Sequence, residues 1–379
     1  MTVKGLCISD IHFGVPASPR IYEELSIVKD FIEHNELDVI HINGDFFDRK
    51  LSFSEPAALL GMQFFYELRE LCIKKKIKLR VIHGTMTHER NQTEMFNKFA
   101  TPYLDMRVIN SVTEEELFPG FNVLYVPEEY PVNADEYYEK YRNKEYSAIM
   151  MHGMWDFLAM NSMIEEANRT DFQTAPIFKY DDWKQCVPHG MIICGHIHSR
   201  HTHRKKIFYP GSYSAWDFSD ISERGFAYYE YNTKKKFYKV QYINNTLCPT
   251  FGTITLDKLG IDLENYDVSA FQDAVKVAAE QFDNFRVDID PNKLSGENLE
   301  ILKKVYKDIP NIKIKIIDQK RILLENSSED KYSRYEYIFK NTLPIEEVIL
   351  KFIQEDLSES EGADKITLQN IKDIIKEEE

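Results

Sequence analysis

Short apolar runs recur through the first 200 residues, and several stop at a polar residue. Val3–Ser9 runs into Asp10, Leu37–Asn43 into Gly44-Asp45, and Leu79–Ile82 into His83-Gly84. Ala148–Met151 stops at His152, and Met191–Cys194 at Gly195-His196. Their length and their content of Val, Ile and Leu predict strands buried on both faces. Between them the spacing changes. Leu25, Val28 and Ile32 form a helical stripe within Tyr22–His34, and Ala57–Lys74 repeats that period. Strands alternating with helices predict a largely parallel, doubly wound α/β sheet, in which side chains at the carboxyl ends of the strands gather along one edge.

A different rhythm follows Cys248-Pro249-Thr250. Phe251–Leu256 alternates, Val268–Phe282 is helical in period, and Phe285–Asp290 alternates again. A helix is expected from about Gly296 to Tyr306, then a strand on Ile312, Ile314 and Ile316. Residues 248–320 therefore read as a β-α-β-α-β module after a first domain at 1–247. The polar stretch 321–343, with Asn326-Ser327-Ser328-Glu329-Asp330, reads as a linker. Pro344 then opens a helix carrying Ile345, Val348, Ile349, Phe352 and Ile353, and a second stripe runs through Leu368, Ile371, Ile374 and Ile375. Residues 344–379 are thus two amphipathic helices.

Composition narrows this little. Hydrophobic residues at 43% and charged residues at 29% are those of an ordinary globular protein. No apolar run reaches a membrane-spanning length, and an acidic residue interrupts the N-terminus too early for a signal peptide, so no membrane is expected. Five sparse cysteines, Cys7, Cys72, Cys186, Cys194 and Cys248, lack metal-finger spacing and suggest a reducing cytoplasm. The net charge of −15 weighs against a polyanionic partner. The tail from Pro344, with 11 acidic and 4 basic residues, carries −7 of it. Carboxylates that hold cations would be offset further.

The strand ends carry the chemistry. Asp10, His12, Asp45, His88, His152, His196 and His198 would all converge on the one sheet edge. Mixed imidazole and carboxylate donors suit Mn, Fe or Zn better than Ca or Mg. Asp10-x-His12 lets two side chains clasp one ion, and Asp45 can bridge two with its two oxygens. Two such ions, about 3.5–4 Å apart, stabilise both the attacking and the leaving oxygen of an in-line displacement and acidify water. Singly these are ordinary features: a histidine after a strand is usually structural, and Asp45 alone could cap a helix. Their order along successive strand ends is what points to a metal site. His34, His41, His83 and His189 receive no functional role.

Asp10-x-His12, Gly44-Asp45-x-x-Asp48, Gly84…His88-Glu89, His152 and Gly195-His196-x-His198 resemble the signature of the calcineurin-like metallophosphoesterases. The resemblance implies a β-sandwich flanked by helices in place of a doubly wound sheet. It implies Asp10, His12, Asp45 and His198 around a first divalent metal, and Asp45, His152 and His196 around a second. His88 would act on the phosphate or leaving group, and Asp48 would orient a ligand. One motif departs from the pattern. The family's Gly-Asn-His-Asp/Glu reads here Gly84-Thr85-Met86-Thr87-His88-Glu89, with two extra residues and no Asn before the His. Thr87 is the substitute ligand this suggests, with Asn91 as an alternative.

Farther along, Tyr209-Pro210-Gly211-Ser212, Asp217-Phe218 and Glu223-Arg224-Gly225-Phe226 are similar to the SbcD branch, nuclease subunits that work with an SMC-like ATPase, versions of which occur in large phages. The resemblance covers residues 1–245 well and the remainder in architecture. It implies a Mn-dependent DNA exo- and endonuclease (Mg, Fe or Zn being possible metals), acting in DNA repair or recombination. It further implies a capping role for 248–320, docking of 344–379 on an SbcC-like ATPase of the SMC/ABC type, and a homodimer. Arg90, Arg200, Arg204, Lys205 and Lys206 are candidate DNA contacts, although a basic run like 200–206 is more often a solvated hairpin tip. Two other readings remain. One is a phosphodiesterase or phosphatase acting on small esters or phosphoproteins. The other is a DNA- or partner-binding scaffold whose second metal site has decayed.

Overall fold

The computed structural model describes residues 1–159, 175–218, 222–255, 273, 275–277, 279–289, 300 and 312–316. In chain order its strands begin with β1 (Thr2–Ile8), β2 (Val39–Asn43), β3 (Lys78–Ile82), β4 (Met106–Ile109), β5 (Thr113–Phe118), β6 (Phe121–Val126) and β7 (Ala148–His152). The two-residue β8 (Met154–Trp155) and β9 (Ile177–Phe178) pair with each other. Then come β10 (Met191–Gly195), β11 (His201–His203), β12 (Ile207–Tyr209), β13 (Gly225–Asn232), β14 (Phe237–Asn244), β15 (Phe251–Thr255), β16 (Asn284–Ile289) and β17 (Ile312–Ile316).

Fifteen of these build two large mixed sheets and one small sheet. One six-stranded sheet has the order β14-β13-β1-β2-β3-β4 and the other β11-β12-β10-β7-β6-β5. In the first, β1, β2, β3 and β4 run parallel, while β13 pairs antiparallel with β1. In the second, β6, β7, β10 and β12 run parallel, with β5 and β11 antiparallel at the edges. Two mixed sheets replace the doubly wound sheet that periodicity alone predicts, and match the sandwich the family resemblance implies.

Three apolar layers explain why. Val3, Cys7, Val39 and Ile82 of the first sheet pack with Val123, Tyr125, Met150 and Ile193 of the second, so the sheets bury one face against each other. The far face of the first sheet packs on α1 (Ser18–Glu24), α2 (Ser26–His34) and α3 (Pro56–Lys75), through Ile21, Val28, Ile32, Phe64, Phe65 and Leu68. The far face of the second packs on α4 (Ala134–Arg142) and the turn Tyr180–Trp183, through Tyr138, Tyr141 and Trp183. Strands covered on both faces must be apolar throughout, which is why the runs in the sequence do not alternate. The single helix expected over Tyr22–His34 is divided at Leu25, where α1 ends and α2 begins. Among the described residues no helix is long and apolar enough to cross a membrane.

The chain divides into two units, residues 1–253 with 276–286, and 254–275 with 287–379. Strands β15, β16 and β17 form a three-stranded sheet with β16 central. Phe285, Val287 and Ile289 are buried while Asn284, Arg286 and Asp288 between them are not, as their alternation predicts. The helix expected near 296–306, apart from residue 300, and the linker and helices expected over 321–379 lie outside the described residues.

Candidate metal centre

Because the strands carrying them run parallel, the ends of β1, β2, β3, β6, β7 and β10 open on one edge shared by the two sheets. Beyond β1 and β2 the chain continues the ladder without forming regular strand. Asp10 N donates to Gly44 O at 3.1 Å, His12 N to Asp45 O at 3.0 Å and Phe13 N to Phe46 O at 2.9 Å. This lacing holds Asp10, His12 and Asp45 in the left-handed region, at φ 51°, 57° and 49°. Such conformations cost on the order of 1–3 kcal/mol each and persist only where the surroundings enforce them. His196, at φ 92°, is held likewise, its N–H donating to Asp10 Oδ1 at 2.9 Å.

The site is closed tightly around its donors. A Cβ at Gly44, whose φ is 81°, would fall 2.2 Å from His152 Nδ1, and one at Gly84 would fall 2.2 Å from Asp45 N and 2.3 Å from Asp45 Oδ1. Those two glycines let the loops after β2 and β3 pass within contact of the functional side chains. Glu89, fully buried, ties the same loops together: its carboxylate accepts from Phe46 N and, at 2.7 Å, from Gly84 N. Burial, with the neighbouring Asp45 carboxylate, pushes its pKa up to about 8.

Asp45 is central. Its Oδ2 lies 2.8 Å from His88 Nδ1, 3.4 Å from His152 Nε2 and 3.8 Å from His12 Nε2. Burial opposes its ionisation, but His152 and the hydrogen bonds from His152 and His88 hold its pKa well below the ordinary carboxylate range. His12 Nε2 and His198 Nε2 face each other at 3.0 Å. His12 Nδ1 lies 3.2 Å from Asp48 Oδ1, close enough for an ion pair though not aligned as a hydrogen bond. His152 Nδ1 is within hydrogen-bond distance of Asn43 O at 2.8 Å; if it donates there, Nε2 is left as the donor atom facing the site.

Four overlapping groups bring ligand atoms within 4.8 Å of one another: Asp10, His12 and His198; His12, Asp45 and His88; Asp10, Asp45 and His152; and Glu128, His152 and His196. The six histidine and aspartate ligands expected from the sequence, with His88, therefore come together. Imidazole nitrogens facing one another among buried carboxylates are better matched to shared divalent cations than to hydrogen bonding alone, and the donor set is one that Mn, Fe or Zn accepts.

Elsewhere the placement differs from expectation. Thr87 is exposed. Thr85 turns inward instead, its Oγ1 at 3.3 Å from Asp45 Oδ2 and 3.2 Å from His152 Nε2. Glu128, which sequence reading passed over, is buried beside it. The available signal was the apolar run Phe121–Val126, followed by Pro127-Glu128: one more strand ending in a ligand-type residue.

The basic run also resolves into separate parts. Arg200 bonds Glu223 and Asn244, both at 2.7 Å, and lies over the Tyr242 ring. Lys206 donates to the carbonyls of Val187 and Pro188, both at 2.8 Å. These two lock the β11–β12 hairpin to the body of the domain. Arg204 and Lys205 form its exposed tip, with Arg204 over the Tyr180 ring. Arg90 is exposed one residue past Glu89 and, with Lys50, Met86, Thr87, Asn91 and Gln92, lines an open depression of about 620 Å³.

Residues 4–200 match the family model for calcineurin-like phosphoesterase. The chain belongs to that family. Its members bind divalent metals and hydrolyse phosphoesters, and the site described here carries the corresponding donors. A search of curated proteins returns no match. Among solved structures, the nuclease MPE of Pseudomonas putida is 15% identical, with 59% of this chain and 83% of that one covered at a TM-score of 0.26. A hypothetical protein of Pyrococcus horikoshii OT3 is 12% identical, with 79% and 97% covered at a TM-score of 0.29. Likenesses at those scores say nothing of this phosphoesterase's substrate.

Proposed function

We propose that this calcineurin-like phosphoesterase is a DNA nuclease that works with two Mn ions, the catalytic partner of an SMC-like ATPase of the SbcC type. The observation that carries the hydrolytic part is the placement of Asp45, with one carboxylate group in reach of His12, His88 and His152. One bridging carboxylate between two sets of imidazoles suits a pair of cations. Bound divalent cations would supply Lewis-acid polarisation of a phosphate and an acidified water.

The chain's own residues set the rest. Asp10, His12, Asp45 and His198 would hold the first cation, and Asp45, His152 and His196 the second. Asp48, 3.2 Å from His12 Nδ1, would orient that ring through its charge. His88 is about one-third exposed and keeps its second ring nitrogen for a phosphate oxygen or a leaving group. Its hydrogen bond to Asp45 raises its pKa, which favours the protonated form that such a role requires.

DNA as substrate is supported by the SbcD-like run from Tyr209 to Phe226 and by Arg90 and Lys50 beside the His88 turn. Capping by 248–320, docking through 344–379 and a homodimer belong to the same reading. A small phosphodiester as substrate is favoured by one observation: Arg200 and Lys206 are committed to internal partners. Digestion of end-labelled linear DNA with Mn separates the two, run with wild type, Asp45→Ala and His88→Ala beside an aryl phosphodiester. DNA cleavage lost in both variants is the expected result. Hydrolysis of the aryl ester with DNA left intact would overturn the nuclease assignment while leaving the phosphoesterase standing.

A further inference from the structure

We infer that Glu128 is a ligand of the second cation, taking the place that the family's third-motif asparagine leaves empty in this chain. This rests on the two-cation reading above and specifies one of its ligands.

Four donor atoms converge on one point. Thr85 Oγ1 lies 3.1 Å from Glu128 Oε2, 3.2 Å from His152 Nε2, 3.3 Å from Asp45 Oδ2 and 3.5 Å from His196 Nδ1. Glu128 Oε2 is itself 3.3 Å from His196 Nδ1 and 4.0 Å from His152 Nε2. Asp45, His152 and His196 are the three second-cation ligands expected from sequence, and the carboxylate joins them from the end of β6.

The position is built for a fixed charge. Glu128 is buried, its backbone N–H is directed at His83 O at 3.4 Å, and its other carboxylate oxygen accepts from the Tyr130 hydroxyl. Tyr130 thus occupies Oε1 and turns Oε2 toward the histidines. An isolated carboxylate in such a place would be costly to bury, whereas one shared with a cation is not. The substitution also changes chemistry. A neutral amide oxygen is exchanged for an anionic one, adding a negative charge to the second site. That site should therefore hold its cation more tightly than amide ligation would allow, and should favour harder divalent ions. Thr85, from the third motif, brings its hydroxyl to the same point and would contribute at most a weak donor.

The test is the number and affinity of bound Mn ions, measured on the full chain by calorimetric titration and by elemental analysis after dialysis. Wild type is expected to hold two. Glu128→Ala should hold one at the same affinity and bind the other more weakly by at least about tenfold, the scale on which even outer-sphere partners act. Glu128→Gln, which keeps an oxygen but not its charge, should fall between them. Two ions bound with unchanged affinities in Glu128→Ala would overturn the role of Glu128 and leave the two-cation reading intact. Absence of bound Mn from wild type would overturn that reading itself. Should Glu128→Ala fail to fold, anomalous scattering from Mn-soaked wild-type crystals decides. A peak coordinated by Glu128 Oε2, His152 and His196 supports the assignment, and a second-site peak without the carboxylate overturns it.

Discussion

His88 Nδ1 lies 2.8 Å from Asp45 Oδ2, so the residue proposed to meet the phosphate is hydrogen-bonded to the carboxylate proposed to serve both cations. The two differ in what they support. Asp45 is touched by His12, His88, His152 and Thr85, whereas His88 reaches the rest of the centre mainly through Asp45. His88→Ala should therefore retain both cations and lower kcat by about 10²–10⁴, the usual scale for loss of a general acid or phosphate contact. Asp45→Ala should lose cations as well as activity. Metal content and kcat measured on both variants separate the roles, and metal lost from His88→Ala would argue against this division.

A second consequence concerns the loops beneath the site. Glu89 accepts from Phe46 N with one oxygen and from Gly84 N with the other. Replacing it with Ala strands two buried amides, at about 1–3 kcal/mol apiece. Glu89→Gln keeps one oxygen acceptor and should cost roughly half as much. Urea denaturation of the two variants tests the order; equal losses would show that the one acceptor kept by Gln contributes nothing.

How much of this was legible follows from what each residue had to satisfy. Asp10, His12, Asp45, His152, His196 and His198 stand within four residues of the ends of apolar runs because the parallel strands deliver them to one edge, so strand pattern and chemistry coincide in the sequence. Glu128 obeys the same rule, but β6 is half of a hairpin with β5, and its exposed Asn122 breaks the apolar run. Thr85 and Thr87 differ only in which side of a single turn they occupy. That depends on the turn Met86–Glu89 beginning after Thr85, and no periodicity spans four residues. The sandwich itself escaped the pattern, since a buried parallel strand reads the same whether helices or a second sheet cover it.

His41 offers a pH prediction away from the metal ligands. It is fully buried in β2, with Nε2 2.8 Å from the Tyr229 hydroxyl, and burial, aided by Arg80, lowers its pKa to about 3. Unfolded chain takes up the proton near pH 6.5, about the ordinary histidine value, while the folded chain does not until about pH 3. Stability contributed at neutral pH is therefore lost as the pH falls through that window. His41→Gln, neutral throughout, should be less stable than wild type at pH 7 and should close the gap by pH 4. Parallel denaturation curves at the two pH values check it, and a gap that stays constant would refute the buried neutral imidazole.

Arg80 shows the opposite solution to a buried charge. Its guanidinium is 1% exposed and meets Glu115 through Nε and Nη2, at 2.9 and 2.7 Å, and Asp105 Oδ1 at 2.9 Å. The pairing joins β3 to β5, that is, one large sheet to the other, and it lies far enough along β3 to leave the loop after it alone. Arg80→Ala leaves Glu115 without its cation and should cost about 3–5 kcal/mol. Replacing Arg80, Glu115 and Asp105 together with Met, Leu and Asn should recover much of that loss, because no uncompensated buried charge remains.

Cation removal should also be felt by the fold. Asp10, Asp45 and Glu128 are buried within one cluster of ligand-type side chains, where bound cations would offset their charges. Cations bound to the folded chain add RT ln(1 + [L]/Kd), about 2.7 kcal/mol for one site at a hundredfold excess over Kd. Wild type treated with EDTA should therefore melt several degrees lower than the Mn-loaded protein. Asp45→Ala should melt at the same temperature with and without Mn, since it lacks the bridging oxygens. An EDTA shift of equal size in Asp45→Ala would mean that the stabilising ions bind somewhere other than this centre.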